Sequence, residues 1–170
     1  MAIETVTSTF IANRDAQPFV VDYSGYGPGE PISVEAVVAV GVADVGSIYK
    51  LFSIPSRAVP ISFRLKTSAD MGTTTTFDLA LYDTTLNGGG LVTDAYFGSG
   101  IVTNAGALDN VEILHSNSSL YTIANAGKRI WELVSPALTA DPGKDYDVYA
   151  ITDGACDGAA TVKWRLTYKV

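Results

Sequence analysis

Three features of this 170-residue sequence predict an all-β protein, a jelly-roll-like two-sheet β-sandwich with one or two short helices and an extended N-terminal arm. Apolar and polar residues alternate at a period of two in several segments. The segments are short and rich in β-branched and aromatic residues. Glycine, proline and aspartate fill the gaps between them. Strands of this kind each bury one face, and two packed sheets satisfy that requirement.

The first strands lie in "SVEAVVAVGV" (33–42) and "SIYKLFSIP" (47–55). In "ISFRLKT", Ile61, Phe63 and Leu65 alternate with Ser62, Arg64 and Lys66. In "FDLALYD", Phe77, Leu79 and Leu81 alternate with Asp78, Ala80 and Tyr82. "YDVYAIT" (146–152) is a further strand. "TVKWRLTYK" gives the clearest pattern, with Val162, Trp164, Leu166 and Tyr168 on one side and Lys163, Arg165, Thr167 and Lys169 on the other. Such a pattern means one buried and one wet face. "NGGG" (87–90), "DPG" (141–143) and "DGACDG" (153–158) supply turns. Two more strands are expected within 1–33 or 111–123.

Two segments read as helix. "TDAYFG" offers Thr93 or Asp94 as an N-cap before Gly98. "ANAGKRIWELVS" (124–135) places Ala126, Ile130 and Leu133 on one stripe, with Asn125 as cap and Pro136 as stop. Lys128 and Arg129 fall on its solvated side near Glu132, where they are also candidates for contact with a partner.

Residues 1–33 differ from the rest. They carry Phe10, Ile11, Arg14, Phe19, Tyr23 and Tyr26 with weak periodicity, and Pro18, Pro28 and Pro31 interleave with Gly25, Gly27 and Gly29. That density of proline and glycine sustains neither a helix nor a central strand. The expected organisation is an arm over 1–33, with one short strand around Phe19–Tyr23, and a β-sandwich domain over 34–170. The arm's aromatic residues either lie on a neighbour or fold back on their own domain.

Charge limits the partners. The chain has 18 acidic and 11 basic residues, for a net charge of −7. A nucleic-acid partner is not expected, since phosphates require a basic field. The imbalance is confined to residues 1–127, with 12 acidic and 5 basic groups, whereas 128–170 carry 6 of each. The longest uncharged apolar run, Ala36 to Ala43, is eight residues, so no membrane span is expected. "MAIETVTSTF" lacks the basic start of a secretory signal, and synthesis in a cytoplasm is the expectation.

Chemistry is sparse. His115 is the single histidine and Cys156 the single cysteine, which precludes an intrachain disulfide and leaves too few ligands for a zinc site. A hydrolase would need a nucleophile elbow, and no G-x-S-x-G occurs. "GYGPG" is followed by proline where a phosphate-binding helix should start. Asp141, Asp145, Asp147, Asp153 and Asp157 do not match a calcium loop and read as turn aspartates. No catalytic residue, metal or cofactor is predicted. Tyr49, Tyr82 and Tyr149 are the candidates if a sheet face binds sugar.

Several segments together resemble a known family. They are "FDLALYDTTLNGGGLVTDAYFGSGI", "IANAGKRIWELVSPALTADPGKDYDVYAIT" and the last G-x-x-x-V-x-W-R-L-x-Y strand, with "NAGKRIWEL" and "ADPGKDYDV" the most specific parts. These resemble the head decoration (cement) proteins of tailed bacteriophages, over roughly residues 34–170. The resemblance implies a non-catalytic virion protein on the outer capsid surface that binds the major capsid protein, self-associates as a homotrimer and stabilises the shell. Phe10, Ile11, Arg14, Phe19, Tyr23, Tyr26, Lys128 and Arg129 are the expected capsid or subunit contacts. A tail, fibre or receptor-binding β module and a carbohydrate-binding jelly roll are the alternatives.

Overall fold

The computed structural model describes residues 3–8, 11–12, 15, 30–72, 74–103, 106–115, 118 and 120–170. Nine strands are seen among them: β1 (Thr5–Thr7), β2 (Ile32–Val40), β3 (Ile48–Pro55), β4 (Val59–Thr67), β5 (Thr76–Asp83), β6 (Leu91–Val102), β7 (Val111–Glu112), β8 (Asp145–Thr152) and β9 (Ala160–Lys169). Their pairing is nested. β2 pairs with β9, β3 with β8, β4 with β7 and β5 with β6, all antiparallel. A long double ribbon of this kind, rolled on itself, adds the β4–β9 and β5–β8 pairs. The result is a jelly roll, with sheet orders β1-β3-β8-β5-β6 and β2-β9-β4-β7.

The sequence patterns explain the two sheets. Val162, Trp164, Leu166 and Tyr168 all point inward from β9, as their alternation requires. Aromatic rings then join the sheets edge to face. Trp164 lies 5.5 Å from Phe77 and 6.2 Å from Phe63, and Phe63 lies 5.3 Å from Phe97. Phe77 and Phe97 come from one sheet, Trp164 and Phe63 from the other. Pairs at these separations contribute about 0.5–1.5 kcal/mol beyond their buried area.

Two strands, β4 and β6, depart from the expected pattern. Ile61 does not join Phe63 and Leu65 inside, because a register shift between Pro60 and Ser62 turns it out, to 47% exposed. "TDAYFG" is not helical but lies within β6. Between Thr93 and Gly98 the ladder with β5 is irregular, and Ala95 has φ 48°. This bulge sends the adjacent Tyr96 and Phe97 both into the core, which an unbroken strand cannot do. Asp94 Oδ1 accepts from the amide of the next residue, Ala95, at 3.0 Å, whereas a helix N-cap would accept from an amide two or three residues on.

The helix expected over 124–135 is shorter. A 3-10 turn covers Ile123–Asn125, Gly127 sits at φ 86°, and α1 covers only Ile130–Val134. Ala126 is exposed and leaves the predicted stripe. The N-cap is Arg129, whose amide donates to Glu132 Oε2 at 2.8 Å. An arginine side chain cannot accept in return, so this is half a capping box. Ile130 and Trp131 anchor α1 to the β3–β4 turn, their amides donating to Ala58 O and Ser56 O.

The start of the chain belongs to the sandwich. β1 adds parallel to β3. Glu4 Oε1 accepts from Tyr49 Oη at 2.5 Å and from the Gly41 amide at 3.2 Å. Burial and this carboxylate push the Tyr49 hydroxyl well above its ordinary pKa. Glu4→Ala should cost about 1–3 kcal/mol in urea unfolding, because Tyr49 is left with a buried unpaired hydroxyl. A loss below about 0.3 kcal/mol would show that β1 is not fixed through Glu4. The strand expected around Phe19–Tyr23 lies outside the described residues.

Candidate docking surfaces

Most of the chemistry-bearing side chains have structural partners. His115 stacks on Tyr121 at 5.2 Å and 6°, with Nδ1 2.6 Å from the Tyr121 carbonyl. Cys156 is buried, and burial pushes its thiol pKa up. Asp141 accepts from Ser56 Oγ and the Gly143 amide, which hold its carboxyl below the ordinary range. No group of three His, Cys, Asp or Glu that could hold a metal occurs among the described residues. Tyr49 is wholly buried, Tyr149 is 8% exposed, and Tyr82 stacks on Tyr149 at 4.3 Å. Two of the three tyrosines proposed as a sugar platform are therefore covered.

The expected contact residues fall into three groups. Phe10, Arg14, Phe19, Tyr23 and Tyr26 lie outside the described residues. Ile11 is 1% exposed, so this apolar side chain packs within its own chain instead of offering a contact. Lys128 and Arg129 are exposed ahead of α1, and Arg129 Nη1 lies 3.9 Å from Glu132 Oε1. They share one end of the sandwich with the β3–β4 turn, the β5–β6 loop and the segment leading to β8. Leu86, at 97% exposed, and Ile123, at 80%, project from that end.

A second charged surface was only half visible in the sequence. The outer face of the β2-β9-β4-β7 sheet carries the cations that alternate with the core residues of β4 and β9. Register sets Arg64 directly opposite Arg165 and Lys66 directly opposite Lys163. Like charges so placed destabilise a sheet pair. Carboxylates bracket them: Glu35 opposes Arg165 from β2, and Glu112 opposes Arg64 from β7. One transverse row therefore reads Glu35, Arg165, Arg64, Glu112.

The ion pairs follow from this row. Glu35 takes Lys163 at 2.6 Å and also pairs with Arg165. Arg64 Nε lies 3.3 Å from Glu112 Oε2, and Lys66 Nζ lies 2.8 Å from Asp109 Oδ1. The Lys163 hydrogen bond, helped by Arg165, holds the Glu35 carboxyl below its ordinary value. All these groups are more than a third exposed, so water screens them and each pair contributes little to stability. A cleft of about 320 Å³ opens over the cations and is bounded by Asp109 and Asn110. The period-two cations of β4 and β9 were readable, but their register was not, and register is what gathers four of them into one block.

Comparisons with known proteins bear on the fold. No family model matches the chain, and no curated protein matches it. Among solved structures, a chain in the capsid asymmetric unit of cyanophage Pam1 is similar at 16% identity and a TM-score of 0.50, covering 91% of this chain and 95% of that one. A chain in the capsid of Ralstonia phage GP4 is similar at 16% identity and a TM-score of 0.49, covering 97% of each. The first likeness establishes a shared fold over nearly the whole of both chains.

Proposed function

We propose that this chain is a non-catalytic structural protein of a bacteriophage virion. In this reading it decorates the outer surface of the capsid, binds the major capsid protein as a homotrimer and stabilises the shell. The observation that carries the reading is the end-to-end jelly-roll likeness to a chain of the Pam1 capsid, in which neither chain has a large unmatched part. The sequence resemblance to head decoration proteins points the same way.

The physical build suits the role. An aromatic-filled double sheet resists local opening because each strand is held by its sheet neighbours and by the facing layer. Many modest contacts repeated over a symmetric shell give firm attachment. The proposed contacts are Phe10, Arg14, Phe19, Tyr23 and Tyr26 of the N-terminal arm, together with Lys128 and Arg129 at the α1 end. Ile11 serves to anchor the arm. Calorimetry of expanded capsids with and without the protein tests the stabilising role. The capsid transition should move up by several degrees when the protein is bound, as ligand linkage requires. An unchanged transition at saturating protein would remove the cement function.

A further inference from the structure

The charges of the fold are not only unequal in number but divided in space. Among the described residues, the end of the sandwich opposite α1 holds 41–47, 68–72, 74–75, 106–110 and 153–159. These contain Asp44, Asp70, Asp109, Asp153 and Asp157 and no lysine or arginine. Asp70, Asp153 and Asp157 are exposed, and Asp109 stands at the rim, paired with Lys66. The adjoining sheet face holds the block of Arg64, Lys66, Lys163 and Arg165 beneath a cleft of about 320 Å³. Three carboxylates bracket these four cations. One molecule thus presents an acidic end and a face with cations in excess.

We infer that the basic block on the outer face of the β2-β9-β4-β7 sheet docks the aspartate-lined loop end of a second copy of this chain. Charge complementarity favours that occupant over the others. A polyanion such as a nucleic acid would lay a continuous run of charge against Glu35, Glu112 and Asp109 within the block. Separate carboxylates can instead enter between the in-register cations and relieve their mutual repulsion. The exposed intrachain pairs are weak and can exchange partners at little cost. Val37, 54% exposed and opposite Lys163, gives the same face an apolar contact.

The contact is heterologous, end to face, so a closed ring follows if the rotation between copies closes. The inference deepens the self-association part of the proposed function. Its test uses the purified chain alone, so a failed contact and a failed attachment to capsids give separate results.

The experiment is sedimentation velocity of the full chain at low and high salt, with two variants. K66E/K163E makes the face acidic, and D153K/D157K makes the loop end basic. Wild type should self-associate and weaken by about tenfold or more from ~50 to ~500 mM NaCl, as exposed charge contacts do. Each variant alone should be monomeric. An equimolar mixture of the two should associate again, because each retains the surface that the other now complements. Restoration also shows that both variants fold. If both stay monomeric when mixed, near-UV circular dichroism decides: native spectra for both overturn the proposal, and if either is misfolded the milder K66Q and D153N take their place. A monomeric wild type, or association indifferent to salt and to both charge reversals, also overturns it. A trimer that forms without these groups would leave the homotrimer reading standing and remove this contact alone.

Discussion

Trp164→Ala is expected to destabilise the protein by about 3–5 kcal/mol, the usual cost of truncating a large buried aromatic side chain. Trp164 is wholly buried, sits in the middle of β9 and touches ring neighbours from both sheets. β9 in turn lies between β2 and β4. A cavity there cannot be filled without moving one sheet toward the other. The indole N–H has no hydrogen-bond partner among the described residues, so the loss is one of packing. Trp164→Phe, which removes that unpaired donor and keeps a ring, should cost much less than the alanine variant. Urea unfolding measures both. A change near zero for Trp164→Ala would mean that the two sheets are not joined through this ring.

Gly154→Ala should cost about 3 kcal/mol by a different route. The position lies in the turn between β8 and β9, where a Cβ would stand 1.7 Å from the Thr74 carbonyl oxygen and 2.9 Å from its carbon. These are backbone atoms, so no side chain can swing aside. The facing backbone is held: Thr75 Oγ1 shares its one hydrogen between Met71 O at 2.7 Å and Ala155 O at 3.0 Å, and the Asp153 amide donates to Thr76 O at 3.0 Å. Forcing a methyl group into packed surroundings typically costs 1–3 kcal/mol, and a backbone neighbour puts this case at the top of that range. Gly90→Ala is the control. No atom of the described residues lies within 4 Å of its added Cβ, so its unfolding free energy should stay within about 0.5 kcal/mol of wild type. Equal unfolding free energies for the two variants would show that the backbone at Thr74 yields freely.

How far the sequence could be read depended on the range of the interactions involved. Alternation in β9 and β5 is enforced residue by residue, and it gave Trp164, Leu166, Phe77 and Leu79 their correct faces. The nested pairing joins residues as distant as Ile32 and Tyr168, and nothing local encodes it. Bulges broke the simple pattern where one strand carries extra residues: Ile61 turned outward, and Tyr96 with Phe97 turned inward together. Gly127 cut the expected helix short, since its positive φ ends the turn that Ala126 was to begin. The cations on the outer face of β4 and β9 were visible as a wet stripe. Their meeting across β4 and β9 was not, because one residue of slip would separate Arg64 from Arg165. Lys128 and Arg129 were legible only as exposed cations, because a contact is a property of two surfaces.

A chain with the proposed role co-sediments with expanded, undecorated capsids of the phage that encodes it. The bound copies per capsid should saturate at a fixed number compatible with icosahedral sites, in multiples of three for a trimer. A folded protein that stays in the supernatant at every concentration, while its capsids sediment bare, would contradict the account.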